Sequence, residues 1–290
     1  MHPAPSVILF STLSGLGLGL LAWLGAGVAA ATGWAAFWWW GLGYGLAVAG
    51  LLASTFHLGN PRRALLAFSQ WRSSWLSREA WASVAALVVL APVALSDIFA
   101  LGLPRVVGLA GAVLALGTVF TTSMIYAQIR AVPRWHHWVT PLMFLGFALA
   151  GGALLAGQAW AALGLIGLAP LMLLVWHLGD GQFARAAQTL GTATGLGQIG
   201  EVQVFEQAHT AGNYLLREMI FVVGRKHAQK LRGIALVLAA GLPALIMAVA
   251  PGAPAAIALA AVLHMVGAMT QRWLFFAEAE HVVGLYYGKR

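Results

Sequence analysis

One short stretch of the sequence, residues 54–79, holds side chains that can take part in proton transfer and anion binding. It contains one histidine, four arginines and one glutamate, whereas residues 1–53 contain no Asp, Glu, Lys or Arg. A histidine with a pKa near neutrality can donate a hydrogen bond and exchange a proton, and a neighbouring carboxylate can relay that proton. An arginine can stabilise a developing anion through charge-assisted hydrogen bonds. These residue types together suit a redox reaction coupled to protons.

The spacing within this stretch brings two of its side chains to one place. His57 ends one apolar segment and Glu79 begins the next, and Gly59 and Pro61 favour a turn between them. A quinone requires such a site, because its carbonyl oxygens need donors, its reduction needs protons and its ring enters from the bilayer. A second interpretation stays open. Arginines in a loop follow from membrane topology alone, and a histidine at a helix end can simply lie among lipid headgroups.

The composition places these residues in a membrane protein. The 290 residues are 61% hydrophobic and 8% charged, whereas a soluble domain carries about 25% charged residues. Several uncharged windows are long enough to cross a bilayer core of about 30 Å as helices. The many glycines suit helices that pack closely in lipid, and the many tryptophans suit its interfaces.

Charge and cysteine content exclude other classes of function. The sequence has no cysteine, which excludes disulfides, thiolate iron–sulfur ligation and covalent haem attachment within it. The net charge of +8 is assigned to cytoplasmic loops rather than to nucleic-acid binding. No set of residues has the spacing of a metal site.

The hydrophobic pattern predicts an all-α integral membrane protein with eight transmembrane helices. The predicted spans are 6–31, 34–57, 79–101, 106–129, 139–157, 159–178, 233–250 and 255–277. Residues 1–290 are expected to form a single polytopic domain. The long segment at about 179–232, between spans 6 and 7, mixes charged and apolar residues and is interpreted as an interfacial amphipathic helix or a docking surface.

The distribution of basic residues predicts the orientation. With eight spans, both termini and the loops after spans 2, 4 and 6 share one side of the membrane. Fifteen of the sixteen basic residues are assigned to that side, Arg272 among them, and only Arg105 lies opposite. The positive-inside rule therefore places both termini and every long loop in the cytoplasm.

Four further residues are weighed for a functional role, three of them at the same membrane face and one inside the membrane. Tyr126 and Arg130 close the fourth span and are candidates for the quinone pocket or its rim. His177 ends span 6 and forms with His57 a conceivable pair of ligands for a b-type haem. His264 lies in the middle of span 8, where a lone histidine more often bonds a neighbouring helix, although an intramembrane ionisable group is also a functional candidate.

The motif HLGNPRRA at 57–64, followed by LSRE at 76–79, resembles the membrane anchor subunit of the dimethyl sulfoxide reductase family of molybdoenzymes. The resemblance implies an eight-helix, quinone-reactive subunit of the bacterial inner membrane without a bound metal of its own. On the same resemblance His57 is the quinone-site histidine, Glu79 its acidic companion and Arg63 the matching arginine. Neither the type of quinone (ubiquinone or menaquinone) nor the direction of electron flow follows from the residues.

Two later motifs resemble the cytoplasmic sulfite-oxidising branch of that family. They are HTAGNYLLREM with GRKHAQKLR in 209–232, and QRWLFFAEAEHVVGLYYG at 271–288. The resemblance implies an iron–sulfur subunit as direct partner and a molybdopterin subunit that carries out the catalysis. The residues expected to dock these partners are Arg62, Arg72, Arg134, Arg217, Arg225 and Lys226. The alternatives are a quinol-oxidising anchor of a reductase, a b-haem anchor, a transporter and a purely structural tether.

Overall fold

The computed structural model describes residues 1–29, 31–57, 60–206, 211–220 and 223–288, and the side chains of these residues except His57, Pro61, Arg62, Val223 and Gly224. All regular secondary structure in these ranges is helical. The helices are α1 Pro5–Gly25, α2 Gly33–Ala53, α3 Trp75–Phe99, α4 Arg105–Ala127, α5 Val139–Leu155, α6 Ala161–Asp180, α7 Gln182–Arg185, α8 Leu190–Thr194, α9 Tyr214–Glu218, α10 Ala228–Leu236, α11 Leu242–Val249 and α12 Pro254–Ala277.

Seven helices are long and apolar enough to cross a membrane, in the part of the chain that is described. They correspond to predicted spans 1–4 and 6–8. The predicted fifth span is α5, which is apolar but has only 17 residues. At 1.5 Å per residue it is about 26 Å long, slightly less than the hydrocarbon core. The all-helical membrane class is therefore confirmed, while the count of eight spans stays a prediction.

Helices α1 and α5 form the centre of the bundle, because most residues of both are buried. Their backbones meet at Gly19 and Gly152. A Cβ atom on Gly19 would clash with the backbone of Ala148, and one on Gly152 would clash with the backbone of Gly19. Small residues at such a crossing permit the close helix contact that drives association in lipid. The short α5 is thus a central element of the fold.

The seventh span differs from its prediction in length and in shape. It runs from Arg225 to Val249, so it begins about eight residues earlier than expected, and it contains a π-helical turn at Val237–Gly241. The Nδ1 atom of His264 lies 2.6 Å from the Ala239 carbonyl oxygen of that turn. A carbonyl only accepts, so Nδ1 carries the proton. The interpretation of His264 as a bond to a neighbouring helix is confirmed.

Two of the three segments that join spans on the predicted cytoplasmic side, those after spans 2 and 6, contain short helices. Residues 54–74 form two 3₁₀ turns, Ser54–His57 and Pro61–Phe68. The second turn is held on α3, because the Ser77 hydroxyl donates to the Ala67 carbonyl and the Trp81 indole to the Phe68 carbonyl. Residues 179–206 and 211–220 carry only the end of α6 and the short α7, α8 and α9. The interpretation of this segment as an interfacial amphipathic helix or a docking surface stays a prediction.

Candidate functional site

Glu79 lies inside the bundle at the beginning of α3. Its carboxylate is only 5% exposed and accepts a hydrogen bond from the Thr122 hydroxyl of α4. Glu79 is in the second turn of α3, so the contacts that hold the preceding segment on α3 also fix its position. A carboxyl group buried in an apolar bundle is costly unless it is hydrogen-bonded or serves a function. The structure thus places the predicted acid at a protected position with one hydrogen-bond partner.

Tyr126 follows Thr122 by one helical turn, so the two side chains share a face of α4. Its ring is buried and stacks on Phe144 at a centroid distance of 5.8 Å. Three further aromatic rings surround it, which are those of Trp135, Phe275 and Phe276. The phenol interacts electrostatically with Glu79. The sequence predicts Tyr126 at the pocket or its rim, and the structure places it in the interior next to the acid.

Arg272 also belongs to this region, although its position in the sequence indicates only a topological charge. It lies in α12, is 2% exposed, and interacts electrostatically with Tyr126. Its guanidinium carbon is 3.7 Å from the centre of the Phe144 ring. The signal that marks it is a charged residue inside a predicted span, which is a functional candidate by default. We call Glu79, Thr122, Tyr126 and Arg272 the candidate site.

The other residues expected around the quinone are His57, Arg63 and Arg130. His57 ends the 3₁₀ turn Ser54–His57, but its side chain lies outside the described part. Arg63 is exposed on the next 3₁₀ turn, and Arg130 is exposed in the turn after α4. The structure therefore brings Glu79 and Tyr126 together and leaves the two arginines at the surface.

A second group of charged residues lies where α6, α10 and α12 meet, and we call it the ion-pair cluster. Its members are Arg134, Asp180, Arg232 and Glu278. Arg134 pairs with Asp180 at 3.0 Å and with Glu278 at 2.7 Å, and Arg232 pairs with the same two carboxylates. The cluster borders an open cavity of about 290 Å³. Each arginine pairs with two carboxylates from different helices, so the cluster stabilises the contact between these helices.

The residues expected to dock a partner fall into two groups. Arg134 and Arg225 are engaged within the chain, Arg134 in the ion-pair cluster and Arg225 with Glu280 at 2.8 Å. Arg72, Arg217 and Lys226 are exposed. The side chain of Arg62 lies outside the described part. Docking by the exposed residues stays a prediction. Arg134 and Arg225 already have partners within the chain.

The haem alternative has little geometric support. His177 is exposed on the last turn of α6. Helix α6 packs on α5 and α11, whereas α2, which precedes His57, packs on α1 and α3. Among the residues described, no group of three or more His, Cys, Asp or Glu side chains has the geometry of a metal site. The expectation that no metal is bound stays a prediction.

Comparison with known proteins identifies the family. Residues 39–278 match the family model described as DMSO reductase anchor subunit (DmsC). The chain belongs to the DMSO reductase anchor subunit family. A sulfite dehydrogenase subunit of Allochromatium vinosum is 32% identical over 333 residues, with 99% of both chains covered. No solved structure matches the chain. The family match includes the beginning of α3, the end of α4 and all of α12, so the whole candidate site lies within the part shared with other DMSO reductase anchor subunits.

Proposed function

We propose that this chain is the quinone-reactive membrane anchor of a molybdoenzyme complex that oxidises sulfite. In the overall reaction sulfite and water become sulfate, and the two electrons and two protons released reduce a quinone to a quinol. Sulfite is oxidised at a molybdenum cofactor in one partner subunit, and iron–sulfur clusters in a second carry the electrons. This chain supplies the quinone site and the surface on which the iron–sulfur subunit docks. The full-length similarity to a subunit of a sulfite dehydrogenase supports the choice of substrate.

The observation that carries the proposal is the protected carboxyl of Glu79. A quinone that accepts electrons must also accept protons, and a buried acid within reach of the bilayer can deliver them one at a time. The Thr122 hydroxyl orients the carboxyl, and the buried phenol of Tyr126 adds a second proton-bearing group beside it. His57 lies at the end of the preceding span and is proposed to donate a hydrogen bond to a quinone carbonyl.

The topology proposed for this function has eight spans and both termini in the cytoplasm of a bacterial inner membrane. In this arrangement α5 crosses the membrane despite its length, because it is surrounded by other helices and only its ends must reach the interfaces. The exposed Arg72, Arg217 and Lys226 then lie on the side of the iron–sulfur subunit. Arg105, at the beginning of α4, lies on the opposite side.

The decisive experiment replaces His57 by Gln and measures electron transfer in isolated membranes. Sulfite-dependent reduction of quinone is expected to fall strongly, while sulfite oxidation with an artificial electron acceptor continues. His177→Gln is the matched control, since this exposed histidine is predicted at the same membrane face. Quinone reduction at the full rate in His57→Gln would show that the quinone site is elsewhere. Loss of both activities would instead assign His57 to assembly of the complex.

A second candidate function is a quinol-oxidising anchor of a reductase. The description of the matching family as a DMSO reductase anchor favours it, because a reductase takes electrons from the quinol pool. The two functions use the same site in opposite directions. Membranes supplied with quinol and dimethyl sulfoxide distinguish them from membranes supplied with sulfite and quinone. A visible absorption spectrum of the purified complex, with the bands of b-type haem present or absent, tests the haem alternative.

A further inference from the structure

Arg272 is a buried cation without a buried anion beside it. Within the described ranges, no carboxylate lies at ion-pair distance from its guanidinium, and its Nη1 atom has no hydrogen-bond partner. The rings of Phe144 and Phe147 lie 3.7 Å and 5.4 Å from the guanidinium carbon. Aromatic faces stabilise a cation, but they do not replace the hydrogen bonds that its N–H groups made to water.

A second unsatisfied polar atom lies close by, on α1. The Thr12 side chain is 3% exposed, and its Oγ1 atom likewise has no partner among the described residues. Thr12 and Arg272 line the same small cavity, together with Ser11 and Phe147. Two residues with unpartnered polar atoms, on different helices, therefore line one cavity. Unsatisfied buried polar groups in native proteins usually indicate an unseen water or ion.

The size of the cavity limits what can occupy it. The volume open to the centre of a water-sized molecule is about 10 Å³, which is near the minimum for a single water. We propose that this cavity is a binding site for one ordered water molecule, held by Arg272, Thr12 and Ser11. The water accepts a hydrogen bond from Nη1 of Arg272 and donates to the hydroxyl oxygens of Thr12 and Ser11, since the Ser11 hydroxyl itself donates to the Val7 carbonyl at 2.9 Å. These three polar groups match the two to four partners that a buried water requires.

The water explains how Arg272 is accommodated without a counter-ion. A carboxylate partner would neutralise the guanidinium, whereas a water satisfies its N–H group and leaves its charge in place. The positive charge then acts on the neighbouring Tyr126, with which Arg272 interacts electrostatically. This inference does not depend on the proposed function, because it concerns only the packing of α1, α5 and α12.

Thr12→Val tests the water site, because a dry and a hydrated cavity predict opposite signs. In a dry cavity the substitution removes an unpaired buried hydroxyl and raises Tm. In a hydrated cavity it removes one of the three partners of the water, weakens the hydrogen bonding of the water to Arg272 and lowers Tm by several degrees. Thr118→Val is the matched control, since Thr118 is fully buried and its hydroxyl already donates to the Leu114 carbonyl at 2.9 Å.

The measurement uses the full-length chain, purified from membranes with the subunits that accompany it. A fall in Tm larger than that of Thr118→Val supports the site, and a rise or an unchanged Tm overturns it. A map of the unmodified protein, at a resolution that shows ordered waters, gives a readout that does not depend on the variant. A density peak between Arg272 and Thr12 is expected, and an empty cavity in such a map would refute the proposal even if Thr12→Val failed to fold.

Discussion

The ion-pair cluster and the candidate site use the same kinds of residue in different ways. In the cluster, Arg134 and Arg232 each contact both Asp180 and Glu278 directly. In the candidate site, Glu79 and Arg272 are both buried, but a threonine bonds the acid and aromatic rings contact the arginine. Both interact electrostatically with Tyr126.

The difference shows what direct pairing does to charged groups in a membrane protein. Direct pairing with two guanidinium groups satisfies a carboxylate through charge-assisted hydrogen bonds. The Glu79 carboxyl, by contrast, is buried and accepts a hydrogen bond from the Thr122 hydroxyl. The cluster therefore stabilises the contact of α6, α10 and α12, whereas the proposed function assigns proton transfer to the candidate site. Four substitutions test this distinction.

Glu278→Gln is expected to have the largest effect, and the effect is on stability. It removes a 5% exposed carboxylate that two arginines share, and breaking a buried ion pair costs about 3–5 kcal/mol. Thermal unfolding of the purified protein, monitored by size-exclusion chromatography of heated samples, measures the loss of stability. Glu201→Gln is the control, because Glu201 is exposed and is expected to leave Tm unchanged. Equal Tm values for both variants would show that the ion-pair cluster does not stabilise the bundle.

Glu79→Gln is expected to affect activity far more than stability. The amide keeps the shape of the side chain and still accepts the Thr122 hydrogen bond, so the free energy of unfolding changes by only about 1 kcal/mol. Loss of a general acid lowers a rate by about 100-fold or more. The measurement is quinone reduction with sulfite as donor. Asp97→Asn, at the other end of the same helix, is the control and should retain the rate. A fully active Glu79→Gln would remove Glu79 from the mechanism.

Tyr126→Phe is expected to give an intermediate effect. Phenylalanine keeps the contacts with the surrounding rings but removes the proton-bearing hydroxyl. We expect a fall of about tenfold in quinone reduction, equal to ~1.4 kcal/mol in the barrier, with Tm nearly unchanged. Tyr44→Phe serves as control, since the Tyr44 hydroxyl bonds the Leu87 carbonyl between α2 and α3. If both tyrosine variants lost the same activity, Tyr126 would have no specific role.

Arg105→Gln is expected to have the smallest effect. Arg105 is 41% exposed and pairs with Asp97 at 3.4 Å, and an exposed ion pair contributes less than about 1 kcal/mol. Activity and Tm should both stay close to those of the unmodified protein. The comparison with Glu278→Gln then separates pairs that stabilise the bundle from pairs that do not. A loss of several degrees in Arg105→Gln would contradict this division.

Part of the candidate site can be predicted from the sequence, because local motifs carry it. Glu79 lies in the family motif, and its distance from the preceding apolar segment places it near the start of a helix. Tyr126 is indicated by its position at the end of a span. For Arg272 the sequence indicates only a topological role, since a basic residue near the end of a span resembles a loop charge. Thr122 does not stand out, because a threonine in an apolar helix carries no signal of its own.

The pairing of charged residues cannot be predicted for a different reason. Arg134 and Arg225 stand in segments where exposed arginines are expected, and nothing in their neighbours indicates a partner. Their carboxylates, in Glu278 and Glu280, are more than fifty residues away along the chain. Such pairs depend on how the ends of helices meet, and that is a property of the folded bundle. The π-helical turn in the seventh span could not be predicted either, since such a turn has no distinct sequence periodicity.

The membrane class, the helical architecture, most of the spans and the family all follow from the amino-acid sequence alone. They rest on composition, on the length of apolar segments and on contiguous motifs, which are local along the chain. Only the folded bundle shows which side chains face the interior and which charges pair. In an apolar chain nearly every face of a helix is hydrophobic, so periodicity does not reveal the buried side. Close packing at small residues such as Gly19 and Gly152 sets the relative positions of the helices, and these positions bring Glu79, Tyr126 and Arg272 together.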